Sequence, residues 1–226
     1  MGEGKIMPVN NYQISIENAL LWTFEYFCIL LLTEVLNHVI WRKWFGIISP
    51  WINLLTLVVF SKMFFIKLKG SIGSNIKISF VLNYKDLFIS IFVAMLLYFI
   101  LDKGLDPILE KVFPASEVAY QETINMLKKA PISSFIHICL IAPIIEETLM
   151  RGYILGGLQG RYGLFISLLV SSVLFALLHF NMVQTLSAFV SGLILGILYI
   201  KTGSIFCSIL AHSLYNIISY IAMLYF

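Results

Sequence analysis

The chain has 226 residues, 60% of them hydrophobic and 12% charged, with a mean hydropathy of +0.93. That composition lies outside the range of soluble globular domains. The net charge is only +3, and the basic residues gather at loop edges, so nothing supports nucleic-acid binding. The chain therefore reads as an integral, multi-pass membrane protein with the lipid bilayer as its partner, of all-α class. Its apolar runs lack the alternating ten-residue pattern of a membrane barrel.

A helix needs about 20 residues to cross about 30 Å of hydrocarbon, and about seven such spans fit this length. They are expected near 17–40, 45–66, 84–101, 131–155, 163–181, 184–200 and 204–225. Met1 to Glu17 is polar and lacks the charged start and small-residue cleavage site of a signal peptide, so the first helix is expected to stay. Glu25 and Glu34 in that helix are nine apart, off a common face, and are expected near interfaces rather than in a relay. Lys62, Lys67, Lys69, Lys77 and Lys85 surround the second loop, and Lys103, Lys111, Lys128 and Lys129 the third, which favours a cytoplasmic N-terminus. Cys28, Cys139 and Cys207 are widely spaced in apolar runs and read as packing residues.

Polarity rises between Asp102 and Ala130, where an amphipathic helix is expected over Ser116 to Lys129, with Ser116 as N-cap and the lysines at the C-terminal end. Residues 1–130 thus read as N-terminal membrane helices plus this surface loop, and residues 131–226 as the block that carries chemistry. Small-residue stripes there, Gly152, Gly156 and Gly160, and Gly192 with Gly196, suit close helix approach.

Beyond Glu122 the only acidic residues are Glu146 and Glu147, side by side in an apolar segment. An ionised carboxylate in hydrocarbon costs about 3 kcal/mol or more on insertion scales, so such residues are kept where they are paired or used. Glu147 and Arg151 are four apart and stack on one helix face as a charge-assisted pair, which leaves Glu146 about a hundred degrees round the helix. Glu147 is thereby the candidate for structure and Glu146 for proton chemistry. Pro143 cannot donate to the carbonyl four residues earlier and is expected to distort the helix beside them.

The same four-residue spacing joins Phe175 to His179 and His212 to Asn216. A carboxylate and an imidazole can hold and deprotonate water, while a second imidazole and an amide can stabilise an oxyanion. That set suffices for amide hydrolysis. No serine or cysteine nucleophile is required, although Ser171, Ser172, Ser208 and Ser213 lie nearby in sequence. Phe175 is expected to pack, against the His179 ring among others. His38 and His137 match no motif and receive no role.

Taken together, Glu146-Glu147-x-x-x-Arg151, Phe175-x-x-x-His179 and His212-x-x-x-Asn216 resemble the three signature motifs of the type II CAAX prenyl endopeptidases, whose bacterial branch is called CPBP or Abi. The resemblance runs from about Pro131 to the C-terminus and leaves the first helices outside. It implies an intramembrane endopeptidase in the cell membrane of a bacterium: Glu146 activates water with His179, His212 and Asn216 form the oxyanion site, and Glu147, Arg151 and Phe175 support them. Its substrate would be a peptide or protein at the membrane, such as a small exported signalling or bacteriocin precursor.

The resemblance admits two mechanisms. A zinc protease would take Glu146, His179 and His212 as ligands with water as the fourth. Glu147 would then have to act as base while paired to Arg151, and a carboxylate held by a guanidinium is a poorer base. A glutamate-type mechanism with no cofactor is therefore favoured. Two other functions compete: a non-catalytic bacteriocin-immunity or partner-binding protein on the same scaffold, which retention of every motif residue disfavours, and a proton-coupled transporter, which the lack of an inverted repeat disfavours.

Overall fold

The computed structural model describes residues 12–72 and 83–225, which contain helices and no strand. Most of the polar N-terminus, and Lys77 of the second loop, lie outside the described residues. The principal helices are α1 (Ile16–Leu36), α2 (Ser49–Ile72), α3 (Tyr84–Ile100), α4 (Asp106–Val112), α5 (Pro114–Leu127), α6 (Pro131–Ile136), α7 (Ala142–Glu147), α8 (Gly156–Ala176), α9 (Met182–Thr202) and α10 (Ile205–Tyr225). Wider π-type turns, Leu101–Leu105, His137–Ile141 and Thr148–Leu155, join α3 to α4, α6 to α7 and α7 to α8. The second of these lies just before Pro143, whose missing N–H cannot continue the α-helical ladder.

Local chemistry sets the starts and stops. Ser15 Oγ accepts from Asn18 N–H at 3.2 Å, Asn83 Oδ1 from Asp86 N–H at 2.9 Å, and Asn181 Oδ1 from Val183 N–H at 3.0 Å, each satisfying a donor that the first helical turn leaves open. Gly203, at φ 64°, ends α9 in the left-handed conformation that glycine adopts without strain.

Among the described residues, five continuous helical stretches are long and apolar enough to cross a membrane: Ile16–Ile72, Tyr84–Val112, Pro131–Ala176, Met182–Thr202 and Ile205–Leu224. Seven were expected. The first stretch takes in two expected spans and the third nearly two, and each of these stretches contains a positive-φ glycine, Gly46 at 51° or Gly163 at 75°. Beyond each glycine the second limb packs back on the first: Lys67 Nζ reaches Glu25 at 2.6 Å, and Ser171 Oγ donates to the Met150 carbonyl at 3.1 Å. The protein is an integral membrane protein of all-α fold.

The largest core gathers Trp22 and Tyr26 of α1, Phe64 of α2, Leu149, Met150 and Tyr153 of the π-type turn, and Phe175 of α8. A second, of Leu97, Leu101, Leu195, Leu198, Cys207 and Ala211, binds α3 to α9 and α10. The close approach of α9 to α8 depends on Gly192, where an added methyl carbon would lie 3.1 Å from Ser172 Cα. Gly160 admits a different neighbour, Gln13 of the N-terminal segment, and the Ile14 N–H donates to the Gly157 carbonyl at 3.0 Å.

Some expectations change. The amphipathic helix begins at Pro114, two residues before Ser116, because proline's fixed φ suits a first turn; no side chain caps it, and Ser116 instead offers its carbonyl to Asn181 Nδ2 at 2.6 Å. Cys139 and Cys207 are buried, whereas Cys28 is exposed on the outer face, since hydropathy alone does not separate a lipid-facing position from a core one. Glu25 pairs with Lys67, and Glu34 accepts from Asn53 Nδ2 at 3.1 Å; both belong to helix contacts.

Candidate active site

Glu147 ends α7 and Arg151 follows on the π-type turn, and both are fully buried. Arg151 Nε lies 3.0 Å from Glu147 Oε2, its Nη2 donates to the Gly192 carbonyl at 3.2 Å, and its guanidinium stands 5.1 Å from the centre of the Phe175 ring. A lone buried cation costs several kcal/mol, and here a carboxylate, a carbonyl and an aromatic face share its compensation. The other carboxylate oxygen, Oε1, accepts from His212 Nδ1 at 3.0 Å. Glu147 therefore does more than pair with Arg151: it orients an imidazole from α10, a link that no i, i+4 spacing could reveal.

His179 follows the end of α8. Its Nδ1 is 3.2 Å from the Phe175 carbonyl, so this nitrogen carries the proton and Nε2 is left as the basic lone pair. Burial pushes the His179 imidazole down to about 4, against the raising effect of the Phe175 carbonyl contact, so the ring is neutral at pH 7. The Phe175 ring meets His179 edge-on at 5.3 Å and His212 at 5.8 Å. One aromatic ring thus packs against both imidazoles and the Arg151 guanidinium. Asn216, one turn beyond His212, donates through Nδ2 to the Ile138 carbonyl at 2.8 Å, which ties α10 to the π-type turn ahead of Pro143.

These groups surround a cavity of about 520 Å³. Glu146 of α7, His179 just past α8, and His212 and Asn216 of α10 all line it, as does Phe175, while Glu147 and Arg151 are not part of its lining. Glu146 is half-buried, and among the described residues no side chain hydrogen-bonds to it. The cavity also takes in residues to which sequence reasoning assigned no part: Asp102 on the π-type turn after α3, Asp106 at the start of α4, and His137. None of Ser171, Ser172, Ser208 and Ser213 lines it; the first three donate to the Met150, Leu168 and Leu195 carbonyls. His38 is exposed and outside it.

The zinc alternative needs Glu146, His179 and His212 to converge on one point. Among the described residues no three His, Cys, Asp or Glu side chains are grouped to hold an ion.

Comparison with known proteins bears on this same region. Residues 128–218 match the family described as type II CAAX prenyl endopeptidase Rce1-like. Among curated proteins, the "Putative membrane peptidase YdiL" of Bacillus subtilis (strain 168) is 28% identical over 96 residues, which are 42% of this chain and 39% of that protein. The match thus spans well under half the length of this curated relative. No solved structure matches the chain. The matched residues contain Glu146, Glu147, Arg151, Phe175, His179, His212 and Asn216, so the part of the chain that brings these side chains to and behind the cavity wall is the part that is similar to the Rce1-like type II CAAX prenyl endopeptidases.

Proposed function

We propose that this chain is a metal-independent intramembrane endopeptidase that hydrolyses membrane-associated or small exported peptides in a bacterial cell membrane. The observation that carries the reading is the cavity wall itself: Glu146, His179, His212 and Asn216, distant in sequence, line one space within a bundle of apolar helices.

In this reading a water molecule sits between the Glu146 carboxylate and the Nε2 lone pair of His179. Glu146 takes its proton as the water oxygen attacks the scissile carbonyl carbon. The carbonyl π electrons move onto oxygen, which receives hydrogen bonds from the Asn216 amide and from His212 Nε2. To donate through Nε2 while Nδ1–H is directed at Glu147, the ring must carry both protons, and the carboxylate 3.0 Å away is placed to face that charge. Collapse of the intermediate breaks the C–N bond as the proton passes from Glu146 to the departing nitrogen. The products are a carboxylate and an amine.

The test is incubation of the purified protein in lipid nanodiscs with a hydrophobic peptide library in oxygen-18 water, with products read by mass spectrometry. Cleaved peptides carrying the label at their new carboxyl terminus are expected. Absence of any cleavage above that of a Glu146→Ala control would overturn the reading.

A further inference from the structure

The part of the chain outside the family match supplies a carboxylate to the helix that bears the proposed oxyanion site. Asp102 lies on the π-type turn Leu101–Leu105, well before residue 128, where the match begins. Its Oδ1 accepts from Tyr215 Oη at 2.8 Å and its Oδ2 from Ser219 Oγ at 2.5 Å. Tyr215 and Ser219 are one turn apart on α10 and bracket Asn216, so a single carboxylate grips a full turn of that helix. From the other side, the Ile138 carbonyl accepts from Asn216 Nδ2 at 2.8 Å. Four residues past Asp102, Asp106 accepts from Ser187 of α9, so the same stretch anchors both α9 and α10. An amide in its place would present one acceptor oxygen and one donor nitrogen, so one of the two hydroxyls would have to reverse its hydrogen bond, and an alanine would leave both without this partner.

We infer that Asp102 is a positioning residue for the oxyanion site: it fixes the rotation and height of α10 so that Asn216 presents its amide to the cavity. The inference rests on the peptidase reading, with Asp102 acting only through α10.

The test compares wild type, Asp102→Ala, Asp102→Asn, Asn216→Ala and the Asp102→Ala/Asn216→Ala double variant in nanodiscs, with kcat and KM measured on one cleaved peptide. Asp102→Ala is expected to lower kcat about tenfold or more with KM little changed, and Asp102→Asn to fall between it and wild type. In the Asn216→Ala background the further loss should be under about twofold, because the two residues act as one unit. Full additivity, or an effect confined to KM, would overturn the inference. Hydrogen exchange of residues 212–219 gives a readout free of activity: faster exchange in Asp102→Ala is expected, and unchanged exchange would overturn the inference whatever the kinetics. Should Asp102→Ala fail to fold, Ser219→Ala and Asp102→Asn carry the same comparison. A wild type no more active than Glu146→Ala, alongside faster α10 exchange, would instead sink the peptidase reading and with it the catalytic half of this inference, leaving only the helix anchor.

Discussion

Glu147 Oε1 lies 3.0 Å from His212 Nδ1, while Glu147 Oε2 holds Arg151 at 3.0 Å. The carboxylate is thus a hinge point between an ion pair within one helix and an imidazole on another. It sets which nitrogen of His212 points away from it, and with that the direction of any hydrogen bond His212 gives to substrate. Glu147→Gln is expected to reduce kcat by about 10–100-fold, the usual scale for losing a carboxylate that orients a functional histidine. Steady-state kinetics at saturating peptide would show this, and a change below about twofold would mean that His212 is oriented by other means.

Removing the guanidinium strands a buried negative charge. Arg151→Met should destabilise the protein by about 3–5 kcal/mol, whereas the double change Arg151→Met/Glu147→Met should recover part of that loss, because no unpaired charge then remains. Unfolding in mild detergent, followed by circular dichroism, measures both. Equal losses in the single and double variants would argue against the ion pair as the source of the cost.

His179 gives a pH prediction. Its pKa is lowered to about 4 by burial, from an ordinary value near 6.5. Between those values the unfolded chain binds a proton that the folded one refuses. The stability tied to this residue is therefore full above about pH 6.5 and lost as the pH falls through about 4. Nuclear magnetic resonance of ring-labelled histidine should find His179 unprotonated at pH 5.5, and a midpoint near 6.5 would contradict the buried placement.

The two glycines of α9 should differ. At Gly192 an added methyl carbon meets the Ser172 backbone, which cannot move alone, and the Gly192 carbonyl is also a partner of Arg151. At Gly196 the obstacle is the terminal methyl of Leu168, a flexible side chain. Gly192→Ala is expected to cost about 1–3 kcal/mol and to impair cleavage, and Gly196→Ala to cost less and leave cleavage nearly intact. Paired melting curves and kinetics of the two variants decide it.

Much of the site was legible because helical periodicity is a local rule. The Glu147–Arg151 pairing and the Phe175–His179 contact follow from residues four apart, and both occur. The apolar composition likewise announced membrane helices. Long-range features had no such signal. Nothing local ties Asp102 to Tyr215 and Ser219, or Glu147 to His212, because these bonds depend on how α3, α7 and α10 assemble. The positive φ of Gly46 and Gly163 had no local signal either, although the chain reversals there were expected. Each lies beside a break between two expected spans, and helix resumes directly beyond the reversal, so two expected spans fall wholly or nearly wholly within one continuous stretch. The Ser116 cap was misplaced for a related reason: Pro114 offered an equally good start two residues earlier.

The most direct test of the central claim measures peptide cleavage by wild type and Glu146→Ala protein in lipid nanodiscs, each with and without exhaustive chelation. The account predicts cleavage that vanishes in Glu146→Ala and persists after chelation. Cleavage by Glu146→Ala at the wild-type rate, or cleavage lost to the chelator and restored by zinc, would contradict it.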